Sequence, residues 1–374
     1  MRIILLASIV LFWLQPAIAL GQEYVKEFNS QPWPQADLLF HSDYRWKGAD
    51  GAYSIDLGNE RVLWLFADTY IAYKSPFTRT RSCVTMVRNS IAIQKGYNPS
   101  DATIRFFWRT DDTFPTSFFP ENDSTWLWPL DGIRMENKLL IFFAKLHEIK
   151  TGLGFEVCGQ SIKLIKNPDD NPDKWSIKEI PLPYLQDSIL IGSALEVYDD
   201  FLYAFCCREP GNHDVFLVGW HADSAKMGYL LNPEWWCGDN YGWIRHEDMK
   251  HSPEIIFDDG ATECSVWFDS SLDLFFQVQT IGFGQAQLVF RQAEQLTGPW
   301  SEPKIIYDPP ENKIPRIMIY AAKAHPFLPA ADIILTYATN APESLIVADT
   351  CLYYPRFVRV NYNKQNLPID TTDR

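Results

Sequence analysis

The chain has 374 residues, a formal charge of −14, 47% hydrophobic residues and 21% charged ones. That apolar content excludes a disordered chain, and 19 glycines without a triplet period exclude collagen. An acidic balance with no basic run excludes the phosphate-neutralising surface of a non-specific nucleic-acid binder.

Residues 1–19 read MRIILLASIVLFWLQPAIA. Arg2 supplies a positive start, residues 3–14 an apolar run, and Ala17-Ile18-Ala19 a small-x-small cleavage site. This predicts a secretory signal peptide and a secreted or periplasmic protein. The run is shorter than the ~20 residues a spanning helix needs. No later stretch is apolar enough, so no membrane span is expected after cleavage. Residues 20–374 are then expected to form one domain.

Five segments of that domain repeat one plan: a short run, a polar turn, then a strongly apolar strand with a polar end. They cover residues 48–69, 129–147, 191–209, 261–280 and 320–340. Their second strands begin near Val62, Leu139, Phe201, Leu272 and Ile333, at spacings of 61 to 77 residues. Most turns carry Gly, Asn, Asp or Ser, as hairpins require. Further β-like runs lie between them at 103–108, 161–165, 215–220 and 286–291. Five repeats of about four strands predict an all-β fold, a five-bladed β-propeller. The 14 Trp, 17 Tyr and 24 Phe suit strands and sugar-binding platforms alike.

The elements between the hairpins carry less. Residues 114–128 hold Phe118, Phe119, Trp126 and Trp128 and read as core. Asn122-Asp123-Ser124 is a glycosylation sequon. Seven cysteines at irregular spacing leave at least one unpaired and give no zinc pattern; Cys206-Cys207 reads as core. The loop 234–243, with Trp235, Trp236 and Trp243, fits either a sugar subsite wall or a tryptophan cluster sealing two blades. His246 and His251 stand five apart, off the usual metal spacings, so no metal site is expected there.

A hairpin returns the chain to the face where it began. The start of strand one and the end of strand two therefore meet at one rim of the channel. This reading pairs Asp50 with Asp68, Asp131 with His147, and Gly192-Ser193 with Arg208 and Glu209. It also pairs Glu263 with Thr280, and Lys323 and His325 with Asn340. Converging carboxyls raise one another's pKa values, as two-carboxylate glycoside hydrolysis requires.

Two stretches carry a resemblance: Gly48-Ala49-Asp50-Gly51-Ala52, and Arg61-Val62-Leu63-Trp64-Leu65-Phe66-Ala67-Asp68-Thr69. Together they resemble the opening blade of a family long labelled a domain of unknown function. That family is related to the five-bladed glycosidases, and some members are linked to endo-acting hydrolysis of D-arabinan. Ala67 stands where the family usually has glycine. Thr297-Gly298-Pro299-Trp300-Ser301, His325-Pro326 and Tyr337-Ala338-Thr339-Asn340 are similar to later pieces of such propellers. The resemblance implies Asp50 and Asp68 as the acidic pair. Glu263-Cys264 is similar to the Glu-Cys of invertase-like enzymes, which implies Glu263 as acid/base. His325 implies one ion, a structural calcium in the channel; otherwise no cofactor is expected.

The resulting expectation is a secreted glycoside hydrolase acting on a polysaccharide, arabinan-like furanosides first. Asp50 would be nucleophile or base, and Glu263 or Asp68 the general acid. Asp131 would tune a pKa or hold a sugar hydroxyl. Arg208 and His325 would orient substrate, with Trp236, Lys323 and Asn340 completing the binding surface. The alternative is a non-catalytic propeller that binds glycan or a protein partner.

Overall fold

A computed structural model of the protein describes residues 24–74, 81, 83–120, 124–182, 188–328 and 332–362. The expected signal peptide lies outside these residues, as do Asn122 and Asp123 of the sequon. The described residues form a five-bladed β-propeller of twisted antiparallel sheets. From the channel outward, blade 1 is Trp46–Gly58, Arg61–Ala72, Ser90–Lys95 and Thr103–Phe107, with Val84–Val87 beside its second strand. Blade 2 is Thr125–Met135, Lys138–Glu148, Phe155–Ile165 and Ile177–Ile180. Blade 3 is Ile189–Tyr198, Phe201–Arg208, Val215–His221, Glu234–Trp236 and Trp243–Arg245. Blade 4 is Cys264–Asp269, Leu274–Ile281, Gln287–Ala293 and Lys304–Tyr307. Blade 5 is Met318–Ala324, Ile333–Asn340 and Arg356–Tyr362, completed on the outside by the N-terminal Phe28–Pro32. Phe28 pairs with Tyr362, so the first and last described strands share one sheet and the ring closes by strand pairing.

Turn chemistry sets the hairpins. Asn59 and Glu60, Glu136, Asp199 and Asp200, and Asp273 all take the left-handed backbone at the tips between first and second strands. Asn and Asp tolerate that region better than other non-glycine residues, and it matches the twist of the flanking strands.

Between neighbouring blades lie five apolar layers, in which aromatics are the largest side chains. Phe40, Trp46, Trp64, Phe66 and Phe357 fill the space between blades 5 and 1. Tyr53, Phe118, Phe119 and Phe143 lie between blades 1 and 2, and Phe142, Trp220 and Trp235 between blades 2 and 3. Phe205, Phe257 and Trp300 join blades 3 and 4; Phe276, Phe290 and Tyr337 join blades 4 and 5. Radially arranged sheets diverge outward, so wedge-shaped gaps need the largest side chains. That geometry accounts for most of the aromatic load. Each such side chain contributes roughly 1.5–3 kcal/mol by burial. Cys206 and Cys207 are buried in this core, as expected, and no disulfide joins any of the seven cysteines. No helix of the described residues is long and apolar enough to cross a membrane.

Candidate active site

Four of the five channel-lining strands lose their register part-way along. Blade 1 breaks between Ala49 and Tyr53, and blade 2 opposite Ile141–Phe143. Blade 3 breaks between Ile191 and Ala194, and blade 5 between Tyr320 and Lys323. Gly51, Ala52, Gly192 and Ala321 take positive φ at these breaks. An alanine there costs on the order of 1–3 kcal/mol, and such strain concentrates where side chains are re-aimed for function.

In blade 1 the break brings two acids face to face. Ala49 pairs with Thr69 and Gly51 with Phe66, which leaves Asp50 opposite Ala67 and Asp68. Asp68 is buried; it pairs with Arg88 (Nη1–Oδ2 3.1 Å) and accepts the Trp128 indole N–H at 2.9 Å. The Arg88 guanidinium also stacks 4.3 Å over the Trp126 ring. Asp50 Oδ2 accepts from the hydroxyls of Tyr320 (2.7 Å) and Tyr353 (3.1 Å). Its other oxygen, Oδ1, is buried without a hydrogen-bond partner. In blade 4, Cys264 pairs with Gln279, so Glu263 stands opposite Thr280 and accepts from the Thr262 hydroxyl.

These acids share a field. Burial, then the charge of Asp68, raise the Asp50 pKa to about 7 against the two tyrosine hydrogen bonds, and Glu263 adds a smaller upward push. Burial raises Asp68 too, while Arg88 and Trp128 pull it back. Burial raises Glu263, opposed by the Thr262 hydroxyl and by Lys323. Asp50 therefore gains and loses its proton near neutral pH, the range in which a general acid or base operates, while Asp68 is anchored to a guanidinium.

The remaining expected residues separate into three groups. Asp131 and Lys323 lie deeper in the channel than predicted. Thr125, not Asp131, pairs with His147, and Met318, not Lys323, pairs with Asn340. Asp131 accepts the N–H groups of Gly132 and Leu195, each at 2.8 Å, which stitches blade 2 to blade 3. Lys323 is 2% exposed, donates to the Cys264 carbonyl and rests 3.7 Å over the Tyr53 ring. Both line a cavity of about 210 Å³ with Ser54, Glu196 and Ser265. There burial, and then Asp131, raise the Glu196 pKa to about 8.

His325 is not at the mouth. It is 0% exposed, with Nδ1 2.6 Å from the Ser54 hydroxyl and Nε2 2.9 Å from Thr336 Oγ1. Burial and then Lys323 depress its pKa to about 3, so it is a neutral strut between blades 1 and 5 and not a substrate contact. Trp236 lies on an outer strand of blade 3, 5.6 Å from Trp243, so the tryptophan loop seals the blade and does not wall the channel.

Arg208 and Asn340 stay near the rim. Arg208 Nε lies 3.5 Å from Asp214, and its guanidinium covers the Phe216 ring. Asn340 turns its amide oxygen to the Ala341 N–H. Among the described residues no group of three or more His, Cys, Asp or Glu gathers to hold a metal.

Sequence reasoning missed Tyr320, Tyr353, Arg88 and Trp128 as partners of the acids. Tyr320 was the accessible one, because it opens the fifth repeat near the position where Asp50 stands in the first.

The family model for the domain of unknown function DUF5005 matches residues 35–363. The chain belongs to that family. No curated protein matches it in sequence. Among solved structures it resembles a Bacteroides ovatus protein that carries a provisional hydrolase name. The TM-score is 0.66 at 14% identity, over 89% of this chain and 90% of that one. It is also similar to the catalytic domain of a GH62 α-L-arabinofuranosidase from Coprinopsis cinerea (TM-score 0.48, 11% identity, 91% and 98% covered). A third is the α-L-arabinofuranosidase of Podospora anserina, solved with cellotriose (TM-score 0.47, 11% identity, 85% and 92% covered). At such identities the likeness of family and neighbours is one of fold.

Proposed function

We propose that the protein is a secreted or periplasmic glycoside hydrolase that cleaves a polysaccharide, with arabinan-like furanoside polymers as its substrate class. The observation that carries this reading is the convergence of Asp50, Asp68 and Glu263, with Asp50 poised near pH 7 and one of its oxygens unengaged. The names of the arabinofuranosidase neighbours agree with a furanoside and add no weight to the chemistry.

In this reading Glu263 donates its proton to the glycosidic oxygen as the bond to the anomeric carbon breaks. Asp50 supports attack from the other side, as base to a water or as nucleophile. Tyr320 and Tyr353 hold Oδ2, which leaves Oδ1 as the oxygen free to react. Asp68 is engaged by Arg88 and Trp128, which favours Glu263 as the proton donor and gives Asp68 the role of raising the Asp50 pKa. Inversion or retention at the anomeric carbon separates the two roles open to Asp50.

The test is product release from arabinans, fructans, mannans and xylans by the purified protein and by Asp50→Asn. Hydrolysis of one polymer that disappears in the variant is the expected result. Retained glycan binding with no hydrolysis of any polymer would replace this reading with the binding propeller.

A further inference from the structure

Arg81 is an arginine in an unusual place. It is 2% exposed, and its donors go to backbone carbonyls. Nε donates to Lys47 O at 2.7 Å, three residues before Asp50 on the blade 1 inner strand. Nη1 donates to Ile346 O and Asp349 O, and Nη2 to Leu352 O. Its guanidinium also lies 5.7 Å from the Tyr70 ring and 5.4 Å from the Tyr354 ring. The three carbonyls on the far side belong to the short helix Glu343–Ala348 and the turn after it. A planar fork with five fixed donors suits this task, and a lysine ammonium cannot reproduce it.

The segment so held delivers a residue to the site. Tyr353 follows Leu352 directly, takes the left-handed backbone (φ 62°), and donates its hydroxyl to Asp50 Oδ2. The opposite wall is shaped for it. Gly48 has φ +109°, and a Cβ there would stand 2.2 Å from the Tyr353 carbonyl oxygen. Tyr353 is thus pinned from two sides, by the Arg81 fork and by a glycine that lets the backbones touch.

We propose that Arg81 is a positioning residue: it seats the 343–354 segment against blade 1 so that the Tyr353 hydroxyl reaches Asp50 and tunes its ionisation. The inference rests on the reading of Asp50 as a reacting acid, but its test does not require turnover. The groups that face Asp50 are Asp68 from its own blade, Glu263 from blade 4, Tyr320 from blade 5, and Tyr53, Tyr70 and Tyr353. Of these, Arg81 holds Tyr353 through the backbone.

The experiment follows the Asp50 carboxyl by carbon NMR in the full chain with labelled aspartate, assigned by its loss in Asp50→Asn. In Tyr353→Phe the midpoint is expected to rise by roughly one pH unit, because a hydrogen bond that favours the charged form is gone. Arg81→Lys keeps the charge and loses the fork, so the same rise is expected. The double variant should rise no further, since both changes remove one interaction.

An Arg81→Lys protein that melts earlier while its Asp50 midpoint stays put would overturn the proposal, as would an unmoved midpoint in Tyr353→Phe. Arg81→Gln, which retains an amide donor, replaces Arg81→Lys if the latter does not fold. If neither folds, Arg81 is a folding residue and the proposal fails. Shifted midpoints without hydrolysis of any polymer would refute the hydrolase reading and leave this one standing.

Discussion

Asp68→Asn is expected to lower the Asp50 pKa. The two residues face each other across the register break of blade 1, and cross-strand neighbours have Cβ atoms about 5 Å apart. Two unit charges ~6 Å apart at an effective dielectric of ~20 repel by about 3 kcal/mol, or roughly two pH units. Arg88 offsets part of that repulsion while Asp68 is present. A drop of about one to two pH units is therefore expected, from about 7 toward the ordinary carboxylate range. The Arg88 cation left behind acts in the same direction. Two assays report it: the carboxyl titration, and the acidic limb of kcat/KM, which follows the free enzyme. The limb should move to lower pH. An unmoved limb, or one displaced to higher pH, would refute the electrostatic coupling and with it the role given to Asp68.

Three further outcomes follow. Asp50→Asn should cost at least about 10³-fold in kcat and yet raise stability above neutral pH. The folded pKa of about 7 exceeds the ordinary 3.8, so the carboxyl costs stability progressively as pH rises from about 4 to 7; melting curves of the two proteins should meet near pH 4 and separate by pH 8. His325→Ala should destabilise the fold by about 2–4 kcal/mol in urea titrations at pH 7, by opening a cavity and stranding Ser54 and Thr336, with the Asp50 midpoint unmoved. Because the His325 pKa is depressed to about 3, its neutral form is the native one. The wild type should lose stability as pH falls from about 6.5 toward 3, and the variant should lose less over that window. Glu196→Gln should be nearly neutral in melting temperature below about pH 4.5, where the carboxyl is protonated both folded and unfolded, and progressively stabilising from there to about pH 8; equal melting at pH 9 would contradict its burial beside Asp131.

The fold was legible because four of the blades open with a hairpin whose tip is spelled in Asn, Asp and Glu residues that accept the left-handed backbone. Registry was legible where strand two could be counted from the tip without interruption. Glu263 faces Thr280 as expected, on a blade whose first two strands pair without a break. Asp50 faces Asp68 because the break in blade 1 lies at those residues themselves. Asp131 and Lys323 were misplaced because their strands begin earlier, at Thr125 and Met318, and contain a break. Trp126, Leu127, Trp128 and Ile319 look like core lead-ins, so nothing in their pattern marks a channel strand. Tyr353 and Arg88 come from connections between strands, and their meeting with the acids is a long-range event that periodicity does not encode. The closing strand Phe28–Pro32 escaped notice for the same reason: its partner is over 300 residues away.

The irregularities and the acids belong to one argument. A regular strand alternates its side chains, so neighbouring first strands would present every second residue to the channel at fixed heights. Asp50 and Asp68 belong to adjacent strands of one sheet, and in unbroken pairing two ionised carboxylates so placed would be destabilising. The register break separates them from ladder pairing and gives each its own hydrogen-bond set, Tyr320 and Tyr353 for one, Arg88 and Trp128 for the other. The free-energy cost of keeping both buried is spread over the aromatic layers between the blades, which have no polar work to do. A propeller suits such a site because its stability is built outward from the channel, while the innermost strands remain free to depart from ideal geometry. On that basis, restoring regular pairing in blade 1 by deleting Ala67 should return Asp68 to the ladder and uncouple Arg88 from it. The result expected is a folded protein whose Asp50 midpoint rises further above the ordinary range, because Asp68 then stands directly opposite without the Arg88 counter-charge, and whose hydrolysis is lost. A deletion variant with an unchanged Asp50 midpoint would show that the break is incidental to the chemistry.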